Sequence, residues 1–191
     1  ISAFDSGNAA SPVRIIGSPR GSVLSRGNSS IDTMEINFGV HVEISDLHLT
    51  GGRYGLNAAG ASNVVFRNVR FQGNQWGVGL TAGPKFLRFE RCLAISNDVG
   101  AFFADAPTAR DNQWDNGLMW GNPTAILAPT NHCLSVSNSI LGNSTTLFGN
   151  RVPLGDYNLV WNAQPGAGFS TFSELANASP SQGWERSLFS D

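Results

Sequence analysis

An apolar spacing of i, i+2, i+5, i+7 recurs along this chain at nearly even intervals. It is carried by Val42/Ile44/Leu47/Leu49, Val64/Phe66/Val69/Phe71 and Leu87/Phe89/Cys92/Ala94, weakens in Asn112/Trp114/Gly117/Met119, and returns in Leu134/Val136/Ser139/Leu141. Subtracting successive starts gives 22, 23, 25 and 22 residues. Apolar residues two apart are neighbours on one face of a short strand. One such unit cannot bury its own inner face, so copies at this period must stack on one another as a solenoid. The spacing predicts coils of β-strand and leaves no place for a long α-helix between residues 40 and 140.

Between the two apolar pairs the alternation slips by one residue, which requires a sharp bend at i+4. Asp46, Asn68, Arg91, Asn116 and Asn138 stand there. Asn and Asp are the non-glycine residues that best tolerate left-handed backbone. Stacked coils place these side chains in a column, where Asn amides can hydrogen-bond along the stack. A corner rich in Gly and Asn follows the second pair: Gly51-Gly52, Gly73-Asn74, Ser96-Asn97, Gly121-Asn122 and Gly142-Asn143. Then comes a third short motif, in Tyr54-Gly55-Leu56, Trp76-Gly77-Val78, Val99-Gly100-Ala101 and Thr124-Ala125-Ile126. Three strands and three corners per coil predict an all-β, three-sided parallel β-helix. A looser turn of variable length back to the next coil accounts for the spread in repeat length.

The composition agrees with a packed domain. Of 191 residues, 41% are hydrophobic and only 14% charged, so the chain can bury a core and is not disordered. The formal net charge of -2 argues against nucleic acid, which needs a concentrated basic face. No apolar run approaches the roughly 18 residues of a membrane-spanning helix. The two cysteines make no disulfide framework. Cys92 occupies a core slot and Cys133 lies two coils away, so both are expected as free, buried thiols. No Cys-x-x-Cys or His-x-x-x-His spacing is present, and no metal-site pattern with it. A Gly-x-Ser-x-Gly elbow and a Walker loop are absent as well.

The phrase V-x-I-x-N-x-x-x-x-x-N-x-x-G-[aliphatic] resembles the right-handed parallel β-helix repeat of the pectin-lyase-like superfamily. The resemblance covers about residues 12–150. Ser11 to Gly21 is similar to the opening coil of such proteins. Asp156-Tyr157-Asn158-Leu159-Val160-Trp161, followed by Phe172-Ser173-Glu174-Leu175, is similar to the closing segment of secreted bacterial members, where a short helix caps the open end. Thr171-x-x-Glu174 has the spacing of a capping box that would start such a helix. These residues divide the chain into coils over 1–148 and a C-terminal capping segment over 149–191, with Trp161 expected to pack in the cap. Family members usually carry a capped N-terminal end and further chain, so the sequence is expected to be part of a longer protein or to be covered by a partner.

Three surfaces are candidates for chemistry. On the outer face of the first strand, i+3 stacks Ser45, Arg67, Glu90, Asp115 and Ser137, and i+1 stacks Glu43, Val65, Arg88, Gln113 and Ser135. This is either a carboxylate and guanidinium site for sugar acids or a set of exposed ion pairs that stabilise little. At the variable turn, Lys85, Asp105, Arg110, Asp111 and His132 come from successive coils. The resemblance implies a Lys or Arg that takes the proton beside a uronate carboxylate, often with Ca²⁺ neutralising that carboxylate, so Lys85, Asp105, Asp111 and His132 are the candidate catalytic residues. Taking a proton from so weak a carbon acid needs a base and stabilisation of the enediolate. On the third strand, Asn57, Gly79, Phe102 and Leu127 point outward beside Arg53, Gln75 and Asp98. Arg53, Asp98 and Phe102 are the candidate substrate-binding residues, with Phe102 offering a ring for a sugar to stack on.

Two functions of different class follow. One is an extracellular, cell-surface or periplasmic domain that interacts with polysaccharide, similar to the polysaccharide lyases. The other is a non-catalytic scaffold or assembly module whose flat faces dock other protein chains, with Phe102 and Leu127 as a docking surface.

Overall fold

The computed structural model describes residues 1–18, 20–103, 109–128, 134–149, 153–166 and 187–190, with backbone alone at 103 and 188–190. The chain winds coil by coil. The first coil holds β1 (Val13–Ile16), β2 (Ser22–Asn28) and β3 (Met34–Asn37), and the second β4 (Val40–Ser45), β5 (Leu47–Gly52) and β6 (Tyr54–Ala59). The third holds β7 (Ser62–Arg67), β8 (Arg70–Gln72) and β9 (Trp76–Thr81), and the fourth β10 (Arg88–Glu90), β11 (Leu93–Ile95) and β12 (Val99–Phe103). The fifth holds β13 (Asn112–Asp115), β14 (Leu118–Trp120) and β15 (Thr124–Leu127), and the sixth β16 (Leu134–Ser137), β17 (Ile140–Ser144) and β18 (Thr146–Phe148). Winding continues through β19 (Leu154–Asp156) and β20 (Leu159–Ala163), and β21 (Leu188–Ser190) pairs with β20.

Each strand from β1 to β17 pairs in parallel with the strand three places on, and with β21 beside β20 this gives three sheets of seven, eight and six strands. Sheet 1 runs from β1 to β19, sheet 2 from β2 to β21 and sheet 3 from β3 to β18. This is the three-sided parallel β-helix that the spacing predicts. Among the described residues the only helix is one 3-10 turn, Ala3–Asp5. No described helix is long and apolar enough to cross a membrane.

The i, i+2, i+5 and i+7 positions all face the interior. Val42, Ile44, Val64, Phe66, Leu87 and Phe89 line sheet 1, and Leu49, Phe71, Cys92, Ala94 and Met119 line sheet 2, all buried. In-register stacking brings like rings together: Phe66 and Phe89 stack at 4.7 Å, Phe89 and Trp114 at 5.3 Å. Each large apolar side chain so buried contributes about 1.5–3 kcal/mol.

The weak fifth-coil set is explained by its neighbours. Asn112 sits in an apolar slot, yet its amide accepts from the Leu87 N–H at 3.1 Å and donates to the Pro84 carbonyl at 3.2 Å. Gly117 is small because Trp114 is large: a Cβ there would lie 2.3 Å from the Trp114 indole nitrogen.

The i+4 bend is left-handed in the second to sixth coils, with φ from 50° to 58° at Asp46, Asn68, Arg91, Asn116 and Asn138. The expected amide column at this corner is broken, because Arg91 stands between Asn68 and Asn116. Only local bonds remain, such as Asn68 Nδ2 to Asp46 Oδ1 at 3.1 Å. A continuous ladder forms instead at the second corner, buried inside it. Asn74, Asn97 and Asn122 pass hydrogen bonds from coil to coil: the Asn74 N–H donates to Asn97 Oδ1 and the Asn97 N–H to Asn122 Oδ1, both at 3.0 Å. Their amide nitrogens return to the Leu49, Phe71 and Ala94 carbonyls. These amides satisfy backbone groups that turn away from the sheets and are shut off from water.

The turn from sheet 3 to sheet 1 contains a further left-handed position, at His41, Asn63, Phe86 and Asp111. This bend directs the start of each sheet 1 strand and therefore places the exterior of that sheet.

Candidate functional site

Two contiguous depressions cross the exterior of sheet 1. The larger, about 360 Å³, is lined by Pro12, His41, Glu43, Asn63, Phe86 and Arg88, among others. The smaller, about 170 Å³, is lined by Arg88, Phe89, Glu90, Gln113 and Asp115. Arg88 belongs to both and stands between them. From β4 to β13 the groove spans three strand spacings, about 15 Å.

Its charges are arranged by register. Arg14 is opposite Glu43, Arg88 lies between Val65 and Gln113, and Glu90 lies between Arg67 and Asp115. Most of the charges are already engaged. Arg14 pairs with Glu43 at 3.0 Å and Arg67 with Glu90 at 2.8 Å. Asp115 accepts from Ser137 Oγ at 2.9 Å, Asn138 Nδ2 at 2.8 Å and Asn116 Nδ2 at 2.7 Å. Arg88 is exposed and, among the described residues, has no carboxylate within ion-pair distance. Phe86, 43% exposed, offers a ring at the groove edge.

Of the residues that the sequence marks as catalytic, Lys85 and Asp111 come to this side of the molecule. Lys85 is half-buried and bridges in register to Ser62 and Arg110. Asp111 is exposed and lies 3.8 Å from the Arg110 guanidinium. Asp105 and His132 lie outside the described residues, as do Cys133 and the Thr171 to Glu174 capping box.

Arg53, Asp98 and Phe102 all belong to the sheet 3 side but do not converge on one depression. Arg53 is held by Asp32, with Nε at 2.9 Å from Oδ1 and Nη2 at 3.3 Å from Oδ2. This bond holds the Arg53 pKa above its ordinary value, against a smaller opposing effect of burial. The same guanidinium lies 5.1 Å above the Tyr54 ring. Tyr54 stacks in turn on Trp76 at 4.6 Å, and Trp76 on Phe102 at 5.4 Å. The cluster closes over Gly79, where a Cβ would meet the Tyr54 ring at 2.3 Å. Burial raises the Tyr54 pKa. Asp98 lines a separate shallow depression with Ser29, Gln75 and Ser96.

Other groups are built in rather than poised. Burial pushes the Cys92 thiol up to about 12, which removes it as a nucleophile near neutral pH. Burial, helped by Arg70, lowers the His48 pKa. Trp161, expected in a cap, lies on the exterior of β20 and is 49% exposed, because β20 continues the winding.

Sequence reasoning singled out Glu43, Arg88 and Glu90 as stacked charges but missed His41, Asn63 and Phe86. The available signal was their shared position one residue ahead of Val42, Val64 and Leu87.

No family model and no curated protein matches the sequence. Among solved structures, the alginate lyase from Paenibacillus sp. strain FPU-7 is similar, with a TM-score of 0.71 and 15% identity, over 83% of this chain and 67% of that one. At that identity the likeness concerns the fold: this chain is a β-solenoid of the kind on which a polysaccharide lyase is built.

Proposed function

We propose that this chain binds an acidic polysaccharide along the exterior of sheet 1, with Arg88 receiving a sugar carboxylate. The observation that carries the reading is the double groove centred on Arg88, a cation with no carboxylate partner among the described residues. A guanidinium offers a carboxylate two parallel hydrogen bonds. Phe86 offers an apolar ring to a sugar face at the same edge. The likeness in fold to an alginate lyase supports a polysaccharide as ligand, and a polymer of this kind suits an extracellular, cell-surface or periplasmic site of action.

Eliminative cleavage extends this reading. Arg88 would neutralise the carboxylate as the enediolate forms, and Lys85 or His41 would take the proton from the carbon beside it. The C4–O4 glycosidic bond would break as the C4–C5 double bond forms, the leaving oxygen taking a proton from the protonated base or from water. Calcium does not fit the groove. Its carboxylates Glu43 and Glu90 are paired with Arg14 and Arg67, and Asp115 already accepts from Asn116, Ser137 and Asn138, whereas Ca²⁺ takes about six to eight oxygen ligands. The test is calorimetric titration with uronate oligosaccharides. Arg88→Ala is expected to weaken binding at least tenfold without loss of secondary structure. Unchanged affinity removes the site. An absorbance rise from unsaturated uronates would add catalysis.

One observation favours the second reading, an assembly module. The exterior of sheet 2 carries Ile140, Leu159 and Trp161, which are 43%, 37% and 49% exposed, beside half-buried Leu118 and Trp120. A second copy seated there would show as concentration-dependent dimerisation in sedimentation, and Ile140→Lys would abolish it.

A further inference from the structure

Resting on the binding of acidic polysaccharide at sheet 1, we infer that the groove selects a chain in which acidic and neutral sugars alternate, over a chain with a carboxylate on every sugar. A sugar unit in an extended chain is about as long as the spacing between strands, so a polysaccharide running across the strands offers one sugar to each coil. With a carboxylate at Arg88, the adjoining sugars face the coils of Val65 and Gln113.

Neither of these positions suits a second carboxylate. Val65 is half-buried and apolar, so a carboxylate there would lose water and gain no partner at that position. The guanidinium next to it on the same strand, Arg67, is already committed to Glu90 at 2.8 Å. On the other side Gln113 shares its strand face with Asp115, and both line the groove, so a carboxylate there meets like charge. A neutral sugar meets no such penalty: its hydroxyl or acetamido groups hydrogen-bond to the Gln113 amide and its apolar face covers Val65. Two coils from Arg88, where the next acidic sugar of an alternating chain falls, Glu43 is already neutralised by Arg14 at 3.0 Å.

The test compares three hexasaccharides by calorimetry on the whole chain: a hyaluronan fragment, which alternates glucuronate with N-acetylglucosamine, an oligogalacturonate, and neutral cellohexaose. The hyaluronan fragment is expected to bind at least tenfold tighter than the oligogalacturonate, and Arg88→Ala to lower it to the level of cellohexaose. Asp115→Asn, which removes the like charge and leaves Arg88 in place, should narrow the preference several-fold by improving the oligogalacturonate. Equal or tighter binding of the oligogalacturonate overturns the alternation while leaving acidic-polysaccharide binding intact. If neither acidic fragment binds more tightly than cellohexaose, both fall.

Discussion

Replacing Asn97 with Ala should destabilise the molecule more than replacing Asn68, although both are corner asparagines. Asn97 is 2% exposed. Its Oδ1 accepts from the Asn74 N–H at 3.0 Å and from Asn74 Nδ2 at 3.2 Å. Its Nδ2 donates to the Phe71 carbonyl and to Asn122 Oδ1, both at 3.1 Å. Truncation leaves Asn122 Oδ1 its bond from the Asn97 N–H, and Asn74 Nδ2 its bond to the Leu49 carbonyl. The Asn74 N–H loses its acceptor, whereas the Phe71 carbonyl loses its second donor and stays in the β8–β11 ladder. With about 1–3 kcal/mol for the stranded N–H and about 1 kcal/mol for the lost bond to the carbonyl, the cost is about 3 kcal/mol. For a chain of this size that lowers the unfolding midpoint by about 6–12 °C. Asn68, by contrast, is exposed and gives up one bond to Asp46 together with its tolerance of φ 53°, at a cost of about 1–2 kcal/mol. Urea unfolding followed by circular dichroism measures both. Equal losses for the two variants would refute the assignment of the buried ladder as the main polar support. Asn97→Asp adds a signature. It puts a carboxylate where a donor is needed, so burial raises its folded pKa above the ordinary value of about 4, and the variant should regain stability as pH falls from neutral towards about 4, with no further gain below it.

Three further outcomes are expected. Cys92, whose folded pKa is pushed up to about 12, favours the native state at and below its ordinary value of 9.0 and loses that contribution as pH rises from 9 to 12. Wild type should therefore lose stability across that window faster than Cys92→Ala, by up to about 1.4 kcal/mol per pH unit, in unfolding titrations. In native protein Cys92 should resist a thiol reagent that labels it in urea; rapid native labelling would contradict its burial. Gly77→Ala should cost about 2 kcal/mol or more, because the new Cβ meets the Gly100 carbonyl at 2.6 Å and the Asn97 amide at 2.9 Å. Gly73→Ala meets only Thr50 Oγ1 at 3.6 Å and should lose about 1 kcal/mol, from its φ of 63°. Similar midpoints for the two would show that the corner relaxes.

The interior was legible in the sequence because stacking forces it to repeat. Each coil sees the same neighbours above and below, so a residue that works at Val42, Phe66 or Leu49 is demanded again one coil on, and period-2 pairing carries through. The bend at i+4 shows how strong that demand is: Arg91 takes the left-handed conformation of its Asn and Asp neighbours, so position sets the backbone even where the residue type does not favour it. Sequence reasoning placed the amide ladder at the wrong corner because both corners are rich in Asn. What separates them is burial, and burial depends on how the Gly55, Gly77 and Gly100 backbones close against the second corner, where any Cβ would strike an Asn amide.

The exterior obeys no such rule, and that is why the site was only partly readable. An outward position answers to its ligand and its ion-pair partner, so the column of Arg14, Glu43, Val65, Arg88 and Gln113 has no period. The same holds for His41, Asn63, Phe86 and Asp111, four different side chains on one left-handed bend. Register alone brings them into a line, and along sheet 1 it separates Arg14 and Arg67, which are paired, from Arg88, which has no carboxylate at ion-pair distance among the described residues. Arg53 looked available until Asp32, from a stretch before the regular repeats, was found to hold it. Arg88 looked like one member of a ladder until the pairs on either side proved to be closed. A solenoid surface is therefore best searched for departures: on sheet 1 the coil of Arg88 interrupts a run of closed pairs, and that interruption is the ground for proposing the site there.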